Sequence, residues 1–93
     1  SRFVSRIERL VERVGEIKSG NKKSEIGKDE KEILYVKNFA IKGVSEDAEK
    51  FQFNTSVSRM MELVNALYKY DADVGTKNAN LFEETVRDLI RLI

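Results

Sequence analysis

Residues 2–18, RFVSRIERLVERVGEIK, place Phe3, Ile7, Leu10, Val14 and Ile17 at intervals of four and three. Only an α-helix, at about 3.6 residues per turn, brings such positions onto one face. The spacing predicts a helix over residues 2–18 with one apolar stripe, and that stripe must be buried against other elements. Nowhere does the chain alternate apolar and polar residues as a half-buried strand does.

The same period returns downstream. Residues 19–28 (SGNKKSEIGK) hold two glycines and no apolar period, which predicts a flexible loop. Asp29 with Glu32 three residues on forms a capping-box pattern, so a second helix is expected to start at Asp29. Ile33, Val36, Ala40, Val44 and Ala48 give it a stripe that Phe51 prolongs. Gly43 falls inside, costs about 1 kcal/mol against Ala, and predicts a weak point or bend. Asn54 is the expected cap of a third helix that buries Val57, Met60, Met61, Val64, Leu67 and Tyr68. Residues 71–77 (DADVGTK) read as a polar connection. Asn80 with Glu83 is the expected cap of a last helix that buries Phe82, Val86, Leu89 and Ile93, with Glu83 and Arg87 as an i, i+4 pair. Leu34, Ile41 and Leu92 fall outside these stripes. The fold class is therefore all-α, an antiparallel four-helix bundle, with residues 1–93 as a single domain. The chain opens almost directly into a helix and stops on Arg91-Leu92-Ile93 without a C-cap, as expected of a piece trimmed from a larger protein.

Composition narrows the function by what is missing. The chain has no Cys and no His, and its five Gly are scattered. It thus offers no disulfide framework, no thiolate nucleophile, no usual general base and no Gly-rich phosphate loop. The carboxylates Glu46, Asp47 and Glu49 sit together on one helix end and cannot converge on a metal from several elements, so they read as a solvated patch and no metal is expected. No apolar run is long enough for a membrane span, and a soluble, cytoplasmic protein is expected.

Net charge is +1, but residues 1–28 carry eight basic against four acidic residues, and the remainder nine against twelve. Arg2, Arg6, Arg9 and Arg13, spaced four, three and four, form one stripe beside the apolar face of the first helix. Forked guanidinium donors on a rigid rod suit phosphate binding. The plain alternative is a solvated face, with Arg9–Glu12 and Arg13–Glu16 as weak local pairs. Lys18, Lys22, Lys23 and Lys28 in the loop suit diffuse attraction to RNA by counterion release, and equally suit an ordinary surface loop. Tyr35, Phe39, Tyr68 and Tyr70 are of the type that stacks on unpaired bases, although core or rim positions explain them as well, Tyr70 least. Capping accounts for Asn54, and Thr55 beside it is the other polar candidate. Glu62 and Asn65 share a helix face and are placed to hydrogen-bond between helices or to a neighbouring domain.

Phe53-Asn54-Thr55-Ser56-Val57 followed by Met61-Glu62-Leu63-Val64-Asn65 resembles the anticodon-binding region of leucyl-tRNA synthetases. Arg2-Phe3-Val4-Ser5-Arg6 with Leu10-Val11, Ile41 to Asp47, and Leu81 to Ile93 resemble that region's other helices in the same order. Glu8, Asn38, Ala40 and Gly43 depart from the pattern, where the family tends to have Trp, His, Thr and a longer side chain. The resemblance implies the helical bundle of the class I synthetase anticodon-binding type, a tRNA-binding domain of a leucine–tRNA ligase. It would position tRNA(Leu) for ATP-dependent leucylation by a catalytic domain whose HIGH-type and KMSKS-type motifs are not in this chain. On that reading Arg2, Arg6, Arg9, Arg13, Lys22 and Lys23 meet tRNA, no catalytic residue is expected here, and ATP and Mg belong to the parent enzyme. Two other readings stay open. One is a small all-α enzyme of chorismate mutase type, which needs cations from separate helices converging in one cavity. The other is a structural, partner-binding bundle.

Overall fold

A computed structural model describes the backbone of residues 2–50 and 53–93 and the side chains of 2–45 and 56–93. It holds α1 (Arg2–Ser19), α2 (Lys28–Lys50), α3 (Phe53–Asp73) and α4 (Ala79–Leu92). The expectations resting on the side chains of Glu46, Asp47, Ala48, Glu49, Phe51, Asn54 and Thr55 lie outside the described residues.

Contacts between helices fix their directions. Arg6 meets Asn65 and Arg13 meets Asp71, so α1 and α3 run the same way. Tyr70 meets Glu30 and Arg59 meets Phe39, so α2 runs against α3. Lys37 meets Asp88, while Asn78 at the head of α4 meets Glu25 just ahead of α2, so α2 and α4 are parallel. The result is the expected all-α, up-down-up-down bundle. α3 and α4 pack on each other and on both remaining helices, whereas α1 and α2 flank this pair and do not pack together among the described residues.

That arrangement decides the core. Ile7, Leu10 and Ile17 of α1 and Ile33 and Ala40 of α2 are buried, with Phe3, Val14, Val36 and Val44 packed at the edge. Helices with neighbours on three sides need wider apolar faces, and α3 accordingly buries Leu63 and Tyr70 besides Met60, Val64 and Leu67. Met61, one residue off that register, is 42% exposed, contrary to expectation. α4 buries Ala79, Leu81 and Thr85 besides Phe82, Val86 and Leu89, while Ile93 beyond the helix end is 67% exposed. Leu34 and Leu92, unassigned by periodicity, pack against the core. Full burial of a Leu or Phe contributes about 1.5–3 kcal/mol, so these interior positions carry most of the fold's stability.

The caps differ from the expected ones by two residues. The α2 cap is Gly27 with Glu30, whose Oε1 accepts the Gly27 amide at 2.8 Å, the one half of a capping box that a glycine allows. The α4 cap is Asn78, whose side chain accepts the Leu81 amide at 3.0 Å, and Asn80 is exposed. Asn78 wins because its amide nitrogen also donates to the Glu25 carbonyl at 3.0 Å, tying two connections together. Residues 71–73, expected in the connection, remain helical and carry Asp71 to Arg13. The loop expected to be flexible is pinned: the Lys23 amide donates to the Lys77 carbonyl at 2.9 Å. α2 runs unbroken through Gly43. What that glycine provides is room, since a Cβ there would collide with the Arg59 guanidinium.

Candidate nucleic-acid interface

The arginine stripe of α1 lies along its seam with α3, and its four members meet different fates. The Arg6 guanidinium sits 4.7 Å from the Tyr68 ring centroid and donates to Asn65 Oδ1 at 2.7 Å. Tyr68 returns its hydroxyl to the Arg6 carbonyl at 2.9 Å. Asn65 thus makes the interhelical bond expected of it. Arg13 grips Asp71 with two donors, Nε and Nη2, each at 2.7 Å, and also pairs with Glu16. These hydrogen bonds hold Arg13 more firmly protonated than usual and hold the Asp71 carboxyl below the ordinary carboxylate range, against the opposing effect of burial. Lys77 adds a second cation to Asp71 at 3.6 Å. Arg2 and Arg9 are exposed and form no ion pair among the described residues. The local Arg13–Glu16 pair is present, and the Arg9–Glu12 pair is not.

The loop lysines divide in the same way. Lys22 turns back to donate to the Lys18 carbonyl at 2.9 Å, and Lys18 pairs with Glu83 at 3.1 Å. Lys23 lies 3.1 Å from the fully buried carboxylate of Glu30. Of the six residues expected to meet an anion, Arg2 and Arg9 therefore face solvent. Arg6 is half engaged, Lys22 is folded back onto α1, and Arg13 and Lys23 serve the fold.

Glu30 has no precedent in the periodicity. Its burial pushes the carboxyl upward, but donors from Tyr70 at 2.6 Å, Gly27 and Lys23 outweigh that and leave it below its ordinary range. Tyr70, the aromatic least expected in the core, is 5% exposed, and burial raises its hydroxyl well above the usual phenol range. Lys37 is buried too and reaches Asp88 at 3.2 Å. The one advance signal for Glu30 was its place three residues after a glycine that can cap.

Concave surface is shallow. The depression between α1 and α3 sets Arg9 and Arg13 beside Glu12, Glu16 and Asp71, and the one between α2 and α3 sets Lys69 beside Asp29, Glu32 and Asp73. Acid outnumbers base in both, which is the wrong balance for a small anionic substrate. Among the described residues no group of three or more Asp or Glu is arranged to hold a metal ion, and no helix is long and apolar enough to cross a membrane.

No protein-family model matches the chain, and no solved structure does. Curated proteins do. The chain is 46% identical over its whole length to the leucine–tRNA ligase of Caldanaerobacter subterraneus subsp. tengcongensis and 50% identical to that of Clostridium kluyveri, covering 12% of each. It is 47% identical over 99% of its length to the leucine–tRNA ligase of Clostridium beijerinckii, covering 11% of it. The chain thus spans about an eighth of the length of the relatives it matches. With identities of 41–50% running along all or nearly all of its residues, this chain belongs, as one segment, to the leucyl-tRNA synthetase family.

Proposed function

We propose that the chain is the helical tRNA-binding domain of a leucine–tRNA ligase. It holds tRNA(Leu) while a catalytic domain elsewhere on the parent chain, supplied with ATP and Mg, performs the leucylation in the cytoplasm. The observation that carries this reading is the match along the chain to a segment of leucine–tRNA ligases. The geometry lends support at Arg2, Arg6 and Arg9, which leave guanidinium donors open along one edge of a rigid helix. Contacts of this kind fix the register of a nucleic acid without reading its sequence. The domain's contribution to the reaction is orientation, because a misplaced acceptor end lowers the rate without altering the chemistry.

The test is a titration of the chain with leucine tRNA and with an unrelated tRNA, at low and at physiological salt. Binding is expected to weaken steeply with salt and to fall when Arg2 and Arg9 are both changed to Glu. Both substitutions are at exposed positions, so the folding transition is expected to stay within about 0.5 kcal/mol of the parent. Binding that is indifferent to the double change removes α1 from the interface.

A further inference from the structure

The outward face of α2 carries an arrangement that the α1 stripe leaves unused. Tyr35 is 71% exposed and Phe39 41% exposed, and their rings stack with centroids 6.3 Å apart at 11°. Arg59 reaches across from α3, its guanidinium 3.7 Å from the Phe39 ring centroid and its Nη1 donating to the Phe39 carbonyl at 3.1 Å. Gly43, one turn beyond Phe39, is what leaves space for that guanidinium. Phe39 is therefore held from one side, and Tyr35 stacks on it with most of its own ring open to solvent.

Lys28, Lys31 and Lys42 are exposed on the same face, at seven and four residues before Tyr35 and seven after it. At about 1.5 Å per residue the stripe is roughly 20 Å long. None of the three lysines forms an ion pair among the described residues. Glu32 is exposed too, but it flanks the stripe on the Phe39 side, and among the described residues Lys31 and Lys42 line the opposite edge. An aromatic platform bordered by cations suits a single-stranded nucleic acid, whose bases stack and whose phosphates are drawn to lysine. It suits a protein partner less, because lysine is depleted from the centres of protein interfaces.

We infer that the outward face of α2 is a contact for single-stranded RNA: an unpaired base stacks on Tyr35 while the adjoining phosphodiesters lie along Lys31 and Lys42. The inference rests on the tRNA-binding reading for its class of ligand and adds a second, separate surface, since α1 and α2 lie on opposite flanks of the α3–α4 pair.

The chain has three Tyr and no Trp, so the part of a ligand-induced change in tyrosine emission that disappears in Tyr35→Ala reports on Tyr35 and not on Tyr68 or Tyr70. The chain is titrated at low salt with a short oligouridylate, with a duplex RNA of equal length and with leucine tRNA. The oligouridylate is expected to quench tyrosine emission. Tyr35→Ala is expected to weaken its binding about tenfold, with Tyr35→Phe retaining most of the affinity. Lys31→Ala and Lys42→Ala are each expected to reduce the slope of log affinity against log salt by about 0.7. Oligouridylate binding to Tyr35→Ala at the parent affinity overturns the inference. If tRNA binding then still falls with Arg2→Glu and Arg9→Glu, the tRNA-binding reading survives alone. Tyr35-dependent binding of oligouridylate with no binding of leucine tRNA leaves the α2 contact and removes the tRNA reading. No RNA binding at low salt sinks both. Unchanged RNA binding combined with faster proteolysis of the full-length synthetase carrying Tyr35→Ala overturns the RNA contact and assigns the face to a neighbouring domain.

Discussion

The Tyr70 hydroxyl donates to Glu30 Oε2 at 2.6 Å across the α2–α3 boundary, and the Tyr70 hydroxyl oxygen accepts the backbone amide of Asn78 at 2.9 Å. One side chain thereby joins the start of α2, the end of α3 and the head of α4. Changing Tyr70 to Phe leaves a buried carboxylate and a buried amide each one partner short. The expected cost is about 1–3 kcal/mol, read as a lower denaturant midpoint with an unchanged slope. A domain of this size would lose roughly 4–8 °C of Tm for each kcal/mol.

Acid should act through two carboxylates. Glu30 and Asp71 both titrate lower in the folded chain than in the unfolded one. Their stabilisation is therefore complete above the unfolded values, about 4, and is lost as pH falls through the depressed folded ones. Stability is expected to be nearly flat from pH 5 to 8, where no His is present to titrate, and to drop below about pH 4. Asp71→Asn should lower stability at pH 7 and flatten the acid limb. A limb identical to the parent's would show that Asp71 does not drive it.

The positions of the caps can be tested by a matched pair. Asn78→Ala removes the acceptor for the Leu81 amide and the donor to the Glu25 carbonyl, and should cost about 1–2 kcal/mol in thermal or chemical unfolding. Asn80→Ala, at an exposed position inside α4, should change stability by less than about 0.5 kcal/mol.

Gly43 and Arg59 should behave as a coupled pair. Gly43→Ala gains about 1 kcal/mol of helix preference but drives the guanidinium off Phe39, forfeiting a contact worth about 0.5–1 kcal/mol. The single change is expected to be nearly neutral. In an Arg59→Ala background the same change should stabilise by about 1 kcal/mol, and a double-mutant cycle measures the difference. A zero coupling energy would mean that the two side chains do not share that space.

The helices were legible because each carries an apolar period: Phe3 to Ile17 state the single buried face of α1, and Phe82, Val86 and Leu89 state the central line of the wider face of α4. Leu63 and Thr85 were missed because α3 and α4 are covered on three sides, a fact of assembly that no single helix encodes. The shifted caps share that origin. Asp29 and Asn80 satisfy local capping rules as well as Gly27 and Asn78 do, and what separates them is Tyr70, Lys23 and the Glu25 carbonyl arriving from elsewhere in the chain. For the candidate site, spacing alone could group Arg2, Arg6, Arg9 and Arg13 on one stripe. It could not tell that Asp71, read as part of a connection, stays helical and claims Arg13 for the fold.

The bond between the Lys23 amide and the Lys77 carbonyl, together with the buried Glu30–Tyr70–Asn78 chain, concentrates polar fastening where the 20–27 loop meets the 74–78 connection. Local openings begin where few such ties must break, so backbone amides beside this fastening should be among the last to exchange with solvent deuterium. The two connections then act as a clasp, and the remaining lengths of the helices can breathe while their shared base stays shut.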